Sequence, residues 1–189
     1  ELRERLNREA KAAGKLSHPN IVTIYDVGEE VNIQYIAMEF LRGNTLESLI
    51  KTGLNWDYKT LSRIMIQVCE ALDYAHENGI VHRDIKPANI MILEENKVKV
   101  MDFGIARLDK SASMTQTGTA LGTPNYISPE QLKGLPVDRR SDIFSLGVVF
   151  YELLTGQKPF KGETISALIY SILHTEPPPP SEINLDVPR

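Results

Sequence analysis

His82-Arg83-Asp84-Ile85-Lys86-Pro87-Ala88-Asn89, followed after twelve intervening residues by Asp102-Phe103-Gly104, is the stretch on which the reading of this chain turns. An aspartate alone in a loop is ordinarily a turn former or a cap. Here two aspartates, a lysine and an asparagine stand in fixed order around Ile90–Leu93 and Val98–Met101, two short apolar runs that flank Glu94-Glu95-Asn96-Lys97 and predict a small hairpin. With roughly 5% usage per residue type, six fixed residues in the first string and three in the second coincide by chance about once in 10^11 or more rarely.

Working outward, residues 57 to 78 place Leu61, Ile64, Met65, Val68, Cys69, Leu72 and Ala75 at helical period, with Gly79 as the C-terminal stop. Cys69, the single cysteine, is expected to be a buried core thiol. No internal disulfide can form, which fits a reducing, cytoplasmic compartment. Upstream, Leu2, Leu6, Ala10, Ala13 and Leu16 predict an amphipathic helix ended by Ser17-His18-Pro19-Asn20. Ile21–Val27 and Ile33–Phe40 read as paired strands turning at Gly28-Glu29-Glu30, and 45–51 as a short helix. Downstream, 109–123 is polar and hydroxyl-rich and is expected to be a mobile loop. Residues 141–154 are apolar on nearly every side and predict a fully buried helix, stopped at Gly156 and centred in the core. A helix over 163–174 should end before an extended Pro177–Pro180 segment.

In correct order over nearly its whole length, from Glu1 to about Pro180, the chain resembles the protein kinase family, especially the eukaryotic-like serine/threonine kinases of bacteria. Gly122-Thr123-Pro124-Asn125-Tyr126-Ile127-Ser128-Pro129-Glu130 and Ser141-Asp142-Ile143-Phe144-Ser145-Leu146-Gly147 add to the likeness, with Ser128 in place of the family's usual alanine. The resemblance implies an α+β, protein-kinase-like fold, present in part. Residues 1–38 would be the end of the N-terminal lobe (its αC helix and following strands), 39–41 the hinge, and 42–189 most of the mainly helical C-terminal lobe.

It also implies roles. Asp84 would orient the substrate hydroxyl and accept its proton, Lys86 would contact the γ-phosphate of ATP, and Asn89 with Asp102 would bind Mg²⁺, or Mn²⁺ in its place. Glu39 and Leu41 would meet adenine through their backbone beside a gatekeeper Met38, and Met91 would form part of the apolar floor. Glu9 would pair with an ATP-positioning lysine. Arg83 would receive phosphorylated Thr115 or Thr117, made by autophosphorylation through self-association. Thr123 would help dock the substrate, and Asp142 would accept hydrogen bonds from the catalytic loop or serve as an N-cap. Lys86 and Thr123 imply serine or threonine as the acceptor.

A net charge of −4 with 24% charged residues marks neither a nucleic-acid-binding surface nor an acidic tail. No apolar run has membrane-spanning length, although the protein containing this chain is expected to carry an anchor elsewhere if it follows its bacterial relatives. His18, His76 and His174 have no metal-ligand spacing. Neither a glycine-rich loop nor its partner strand lysine lies within the 189 residues, so the chain by itself is expected to be a weak or inactive phosphotransferase. Two other readings compete: a pseudokinase acting as a protein-binding or allosteric module, and a small-molecule phosphotransferase. Asp84, Asn89 and Asp102 argue against the first, and Lys86 with the Gly122–Glu130 segment against the second.

Overall fold

A computed structural model describes residues 14–31, 33–53, 56–103 and 124–187. The chain divides into two units, Glu1–Thr117 and Gly118–Arg189. The expected first helix up to residue 13, Glu9, Gly104, and the hydroxyl-rich loop with Thr115, Thr117 and Thr123 lie outside the described residues.

In the first unit, β1 (Ile24–Glu30) and β2 (Ile33–Met38) form an antiparallel hairpin. The turn lies later than expected. Gly28 stands inside β1 opposite Tyr35, whose ring covers it so closely that a Cβ would sit 2.5 Å from the phenolic oxygen. Glycine is here a seat for an aromatic neighbour, and Val31, at φ 49°, takes the bend. Tyr35 then donates its hydroxyl to Asp26 at 2.9 Å.

A second sheet runs in the order β3 (Gly43–Thr45), β4 (Ile90–Leu93), β5 (Val98–Val100), all antiparallel. The β4–β5 hairpin is as expected, but β3 is not visible in the sequence. Its Gly-Asn-Thr has little strand propensity, and a side chain on Gly43 would collide with the Ile92 carbonyl. Thr45 caps α1 (Leu46–Lys51) by accepting from the Ser48 N–H at 3.2 Å, and Leu46 is fully buried.

The long helix α2 (Tyr58–Glu77) starts at its Asp57 cap and ends at Asn78, with Gly79 at φ 73° beyond. Its buried stripe is Leu61, Ile64, Met65, Val68, Ala71, Leu72 and Ala75, each large member contributing about 1.5–3 kcal/mol on burial. Cys69 corrects the sequence reading, because it is exposed. At 100° per residue it lies about a quarter-turn from the centre of the stripe. Partial burial, then Glu70 and Asp73, push its thiol pKa up, away from reactivity.

The Pro19-Asn20 turn is tied to both neighbours. Asn20 Nδ2 donates to Gln67 Oε1 at 3.0 Å and to the Val98 carbonyl at 2.9 Å. Gln67 in turn accepts from the Val98 N–H and donates to the Asn96 carbonyl, each at 3.0 Å. Helix α2 and the hairpin that follows the His82 string are thereby held in one register.

The second unit contains α3 (Pro129–Leu132), α4 (Arg139–Thr155), α5 (Ile165–His174) and α6 (Pro180–Ile183). Val148, Phe160, Leu168 and Ile172 form its buried cluster, with Tyr126, Leu132 and Phe144 against it. Helix α4 is not buried all round, since Ile143 is 56% exposed. Its N-cap is Asp138, which accepts from the Arg140 N–H, while Asp142 sits buried in the first turn. Gly156, at φ 67°, closes the helix as expected. Pro180 does not extend the proline run but opens α6, where its missing N–H costs nothing. Among the described residues no helix is long and apolar enough to cross a membrane.

Candidate active site

The loop between α2 and β4 is anchored by what it buries. His82 and Ile85 are fully inside, and Pro87 opens a single 3₁₀ turn, Pro87–Asn89, with its ring at the first helical position. That turn reverses the chain, bringing Asn89 back under Asp84. Asn89 Nδ2 donates to the Asp84 carbonyl at 2.8 Å and to Asp84 Oδ2 at 3.1 Å. Lys86 Nζ meets the same Oδ2 at 2.6 Å, and the Asp84 side chain is only 11% exposed. A carboxylate this enclosed needs a counter-charge and donors, and both are supplied within five residues of chain.

Asp102 arrives from the other arm of the hairpin. The Met101 N–H donates to the Asn89 carbonyl at 2.9 Å, extending the β4–β5 ladder to the foot of the loop. The Met101 carbonyl meets His82 Nε2 at 2.8 Å, while His82 Nδ1 accepts from the Asp84 N–H at 3.3 Å. Because Nδ1 accepts, the ring proton sits on Nε2, which donates to Met101. The imidazole thus links the backbone before Asp102 to that of Asp84, and its ring lies 4.5 Å from buried Phe103. His82 is a positioning residue that sequence reasoning passed over as a motif letter.

Arg83 (φ 68°) and Asp102 (φ 62°) both occupy the left-handed backbone region. For residues with a Cβ this conformation costs of order 1 kcal/mol or more each. Such a cost persists where surrounding contacts impose it, and the His82 and Asn89 bonds do so here.

The expected adenine-contacting residues follow β2. Leu41 is half-buried, and Met91 lies on β4 on the face opposite buried Ile90 and Ile92. Met38, the expected gatekeeper, is 39% exposed, because β2 pairs only with β1 among the described strands. Glu39 is unexpectedly well held. Its N–H donates to the Thr23 carbonyl at 2.9 Å, its Oε1 accepts from the Thr23 N–H at 2.6 Å, and Lys99 Nζ lies 2.5 Å from that oxygen. Burial raises the Glu39 pKa, but the bonds from Lys99 and Thr23 outweigh it and leave the carboxyl below its ordinary value. Of the residues expected to act, the structure brings Asp84, Lys86 and Asn89 together and fixes the backbone leading to Asp102.

Comparison with known proteins adds three findings. A family model described as protein kinase domain matches residues 1–185. A probable serine/threonine-protein kinase of Corynebacterium efficiens is 49% identical over 191 residues, covering 98% of this chain and 29% of that protein. Serine/threonine-protein kinase PknB of Mycobacterium leprae is 47% identical over 183 residues, covering 94% of this chain and 29% of that protein. The chain therefore spans under a third of the length of these relatives. Among solved structures, Rad53 residues 1–466 in complex with AMP-PNP superposes with a TM-score of 0.74 at 31% identity, over 90% of this chain and 43% of that one.

Proposed function

The chain belongs to the protein kinase domain family, and on that premise we propose that the protein containing it transfers the γ-phosphate of ATP to serine or threonine hydroxyls of proteins. The observation that carries this reading is the Asp84 carboxylate, nine-tenths enclosed, held at one oxygen by Lys86 and Asn89. A bound AMP-PNP in a structural relative and the names of the sequence relatives support it.

Phosphoryl transfer asks a protein for position and charge neutralisation more than for covalent chemistry. Asp84 receives the proton of the acceptor hydroxyl as the oxygen attacks the γ-phosphorus, and the bond to the β-phosphate oxygen breaks to leave ADP. Lys86, next to Asp84 in the resting site, exchanges part of that contact for the phosphate and carries positive charge to the oxygens that gain negative charge. The donor set suits Mg²⁺. Both Asn89 amide protons are turned toward Asp84, so Oδ1 is its remaining acceptor, and it joins the Asp102 carboxylate as a hard oxygen donor. Bound there, the ion neutralises phosphate charge. The backbone at Glu39 and Leu41 takes the adenine edge over Met91, Glu9 positions the ATP-binding lysine of the upper lobe, and Thr123 seats the acceptor residue. Phosphorylated Thr115 or Thr117 docks on Arg83.

The test is phosphorylation of a basic protein by the full-length protein with Mg-ATP, beside Asp84→Asn, with sites mapped by mass spectrometry. Label on serine or threonine that disappears in the variant is the expected result. A folded protein that transfers nothing while still binding partners through this domain would mark it instead as an interaction module.

A further inference from the structure

Lys99, to which no family role is assigned, meets Glu39 of the expected hinge across 60 positions of chain. Lys99 alternates with buried Val98 and Val100 on β5, so strand geometry turns it to the opposite face, where its side chain is 15% exposed. Its ammonium donates to Glu39 Oε1 at 2.5 Å and to the Ile21 carbonyl at 3.0 Å. Glu39 is joined to Thr23 through both its N–H and its carboxylate. The Ile21–Thr23 segment is itself bonded to β5, with the Val22 N–H donating to the Val100 carbonyl at 2.9 Å. These contacts close a ring: β5 to Lys99, Lys99 to Glu39, Glu39 to Thr23, and back through Val22 to β5.

We propose that Lys99 is a positioning residue that sets the affinity and base selectivity of the nucleotide site by clamping Glu39. The proposal rests on the kinase reading for its ligand and on the ring of bonds for its mechanism. A backbone that reads adenine recognises it by two or three hydrogen bonds whose angles must hold, and a misplaced donor costs the bond while leaving its partner desolvated. Glu39 is the first residue after β2 and has no regular structure of its own to orient it. Its N–H is fixed by Thr23 and its side chain by Lys99, so the direction of the peptide that follows is set from two sides. The chemistry at Asp84 lies on another loop, so loosening the clamp should weaken binding of the base and spare the transfer step.

The experiment compares Lys99→Met and Lys99→Arg with wild type in the full-length protein. Without nucleotide, hydrogen exchange over residues 38–41 and 21–23 should speed up at least tenfold in Lys99→Met and stay near wild type in Lys99→Arg. With nucleotide, Kd for Mg-ADP and KM for ATP should rise about tenfold in Lys99→Met, equal to about 1.4 kcal/mol. Preference for ADP over GDP should narrow, kcat should change far less than KM, and arginine should restore most of the affinity. Unchanged exchange at Glu39 overturns the clamp whatever the protein's activity proves to be. Faster exchange with unchanged Kd, KM and base preference overturns its role in nucleotide positioning. Loss of phosphotransfer from wild type counts against the kinase reading alone, since the exchange result and ADP titration still judge Lys99.

Discussion

Asn89 holds Asp84 by two bonds from one nitrogen, at 2.8 Å to its carbonyl and 3.1 Å to its carboxylate. Asn89→Ala removes both and also deletes an oxygen proposed to bind Mg²⁺. The expected loss in kcat is at least about 10²-fold at saturating ATP, read in single-turnover transfer with circular dichroism confirming the fold. Wild-type kcat in the alanine variant would show that Asp84 needs no such support.

His82 joins Asp84 to Met101, and it is wholly buried. His82→Leu keeps much of the volume but removes one partner each from a buried carbonyl and an N–H. A destabilisation of about 2 kcal/mol is expected, together with lower kcat, measured by thermal unfolding and steady-state kinetics. A variant as stable and active as wild type would reduce the imidazole to filler.

Two glycines separate contacts that can yield from those that cannot. A methyl at Gly28 meets the end of the Tyr35 side chain, itself 41% exposed and able to swing aside. A methyl at Gly162 meets the backbone of Ala167 and Leu168 in α5. Gly28→Ala should cost under about 1 kcal/mol, and Gly162→Ala about 1–3 kcal/mol. Urea titrations of the pair giving the reverse order would refute the packing argument.

Ser128 departs from the family's alanine, and the structure supplies a reason. It caps α3 reciprocally: its Oγ accepts from the Gln131 N–H, and Gln131 Oε1 accepts from the Ser128 N–H at 3.1 Å. Ser128→Ala should lower stability by about 1 kcal/mol. An unchanged melting temperature would show the box to be idle.

Glu39 carries a pH signature. Its folded pKa is lowered despite burial, through Lys99 and Thr23. The folded state therefore binds its proton less readily than the unfolded chain, whose glutamate titrates near 4.3. The resulting stability is fully present above that value and is lost as pH falls below it toward the folded pKa. Glu39→Gln should flatten the stability profile over that acidic window and leave its slope near neutrality unchanged. An identical acid limb in wild type and variant would contradict the assignment.

What could be read directly from the chain were features whose cause is local. The period of α2, the stops at Gly79 and Gly156, and the β4–β5 hairpin each depend on residues within a few positions of one another. The Asp84, Lys86 and Asn89 cluster was equally legible, since one turn assembles it. What was missed or misread depended on a partner strand or on helical phase. Gly28 looks like a turn until Tyr35 covers it, Gly43 becomes strand only against Ile92, and Cys69 lies just off the buried stripe. Lys99 drew no reading and Glu39 was read only for its backbone, because nothing in either neighbourhood announces the other.

That long separation also sets an order of events during synthesis. The β1–β2 hairpin is complete once residue 38 has left the ribosome, but Glu39 cannot meet Lys99 until sixty more residues have followed. At elongation rates of about 5–20 residues per second, that interval lasts seconds, far longer than the microseconds a hairpin needs to form. Until then the segment after β2 has Thr23 but not Lys99 to direct it, and the edge proposed to read the base is set from both sides only when the strand leading to Asp102 emerges. A ligand pocket made in this way cannot mature before the chain that carries its chemistry.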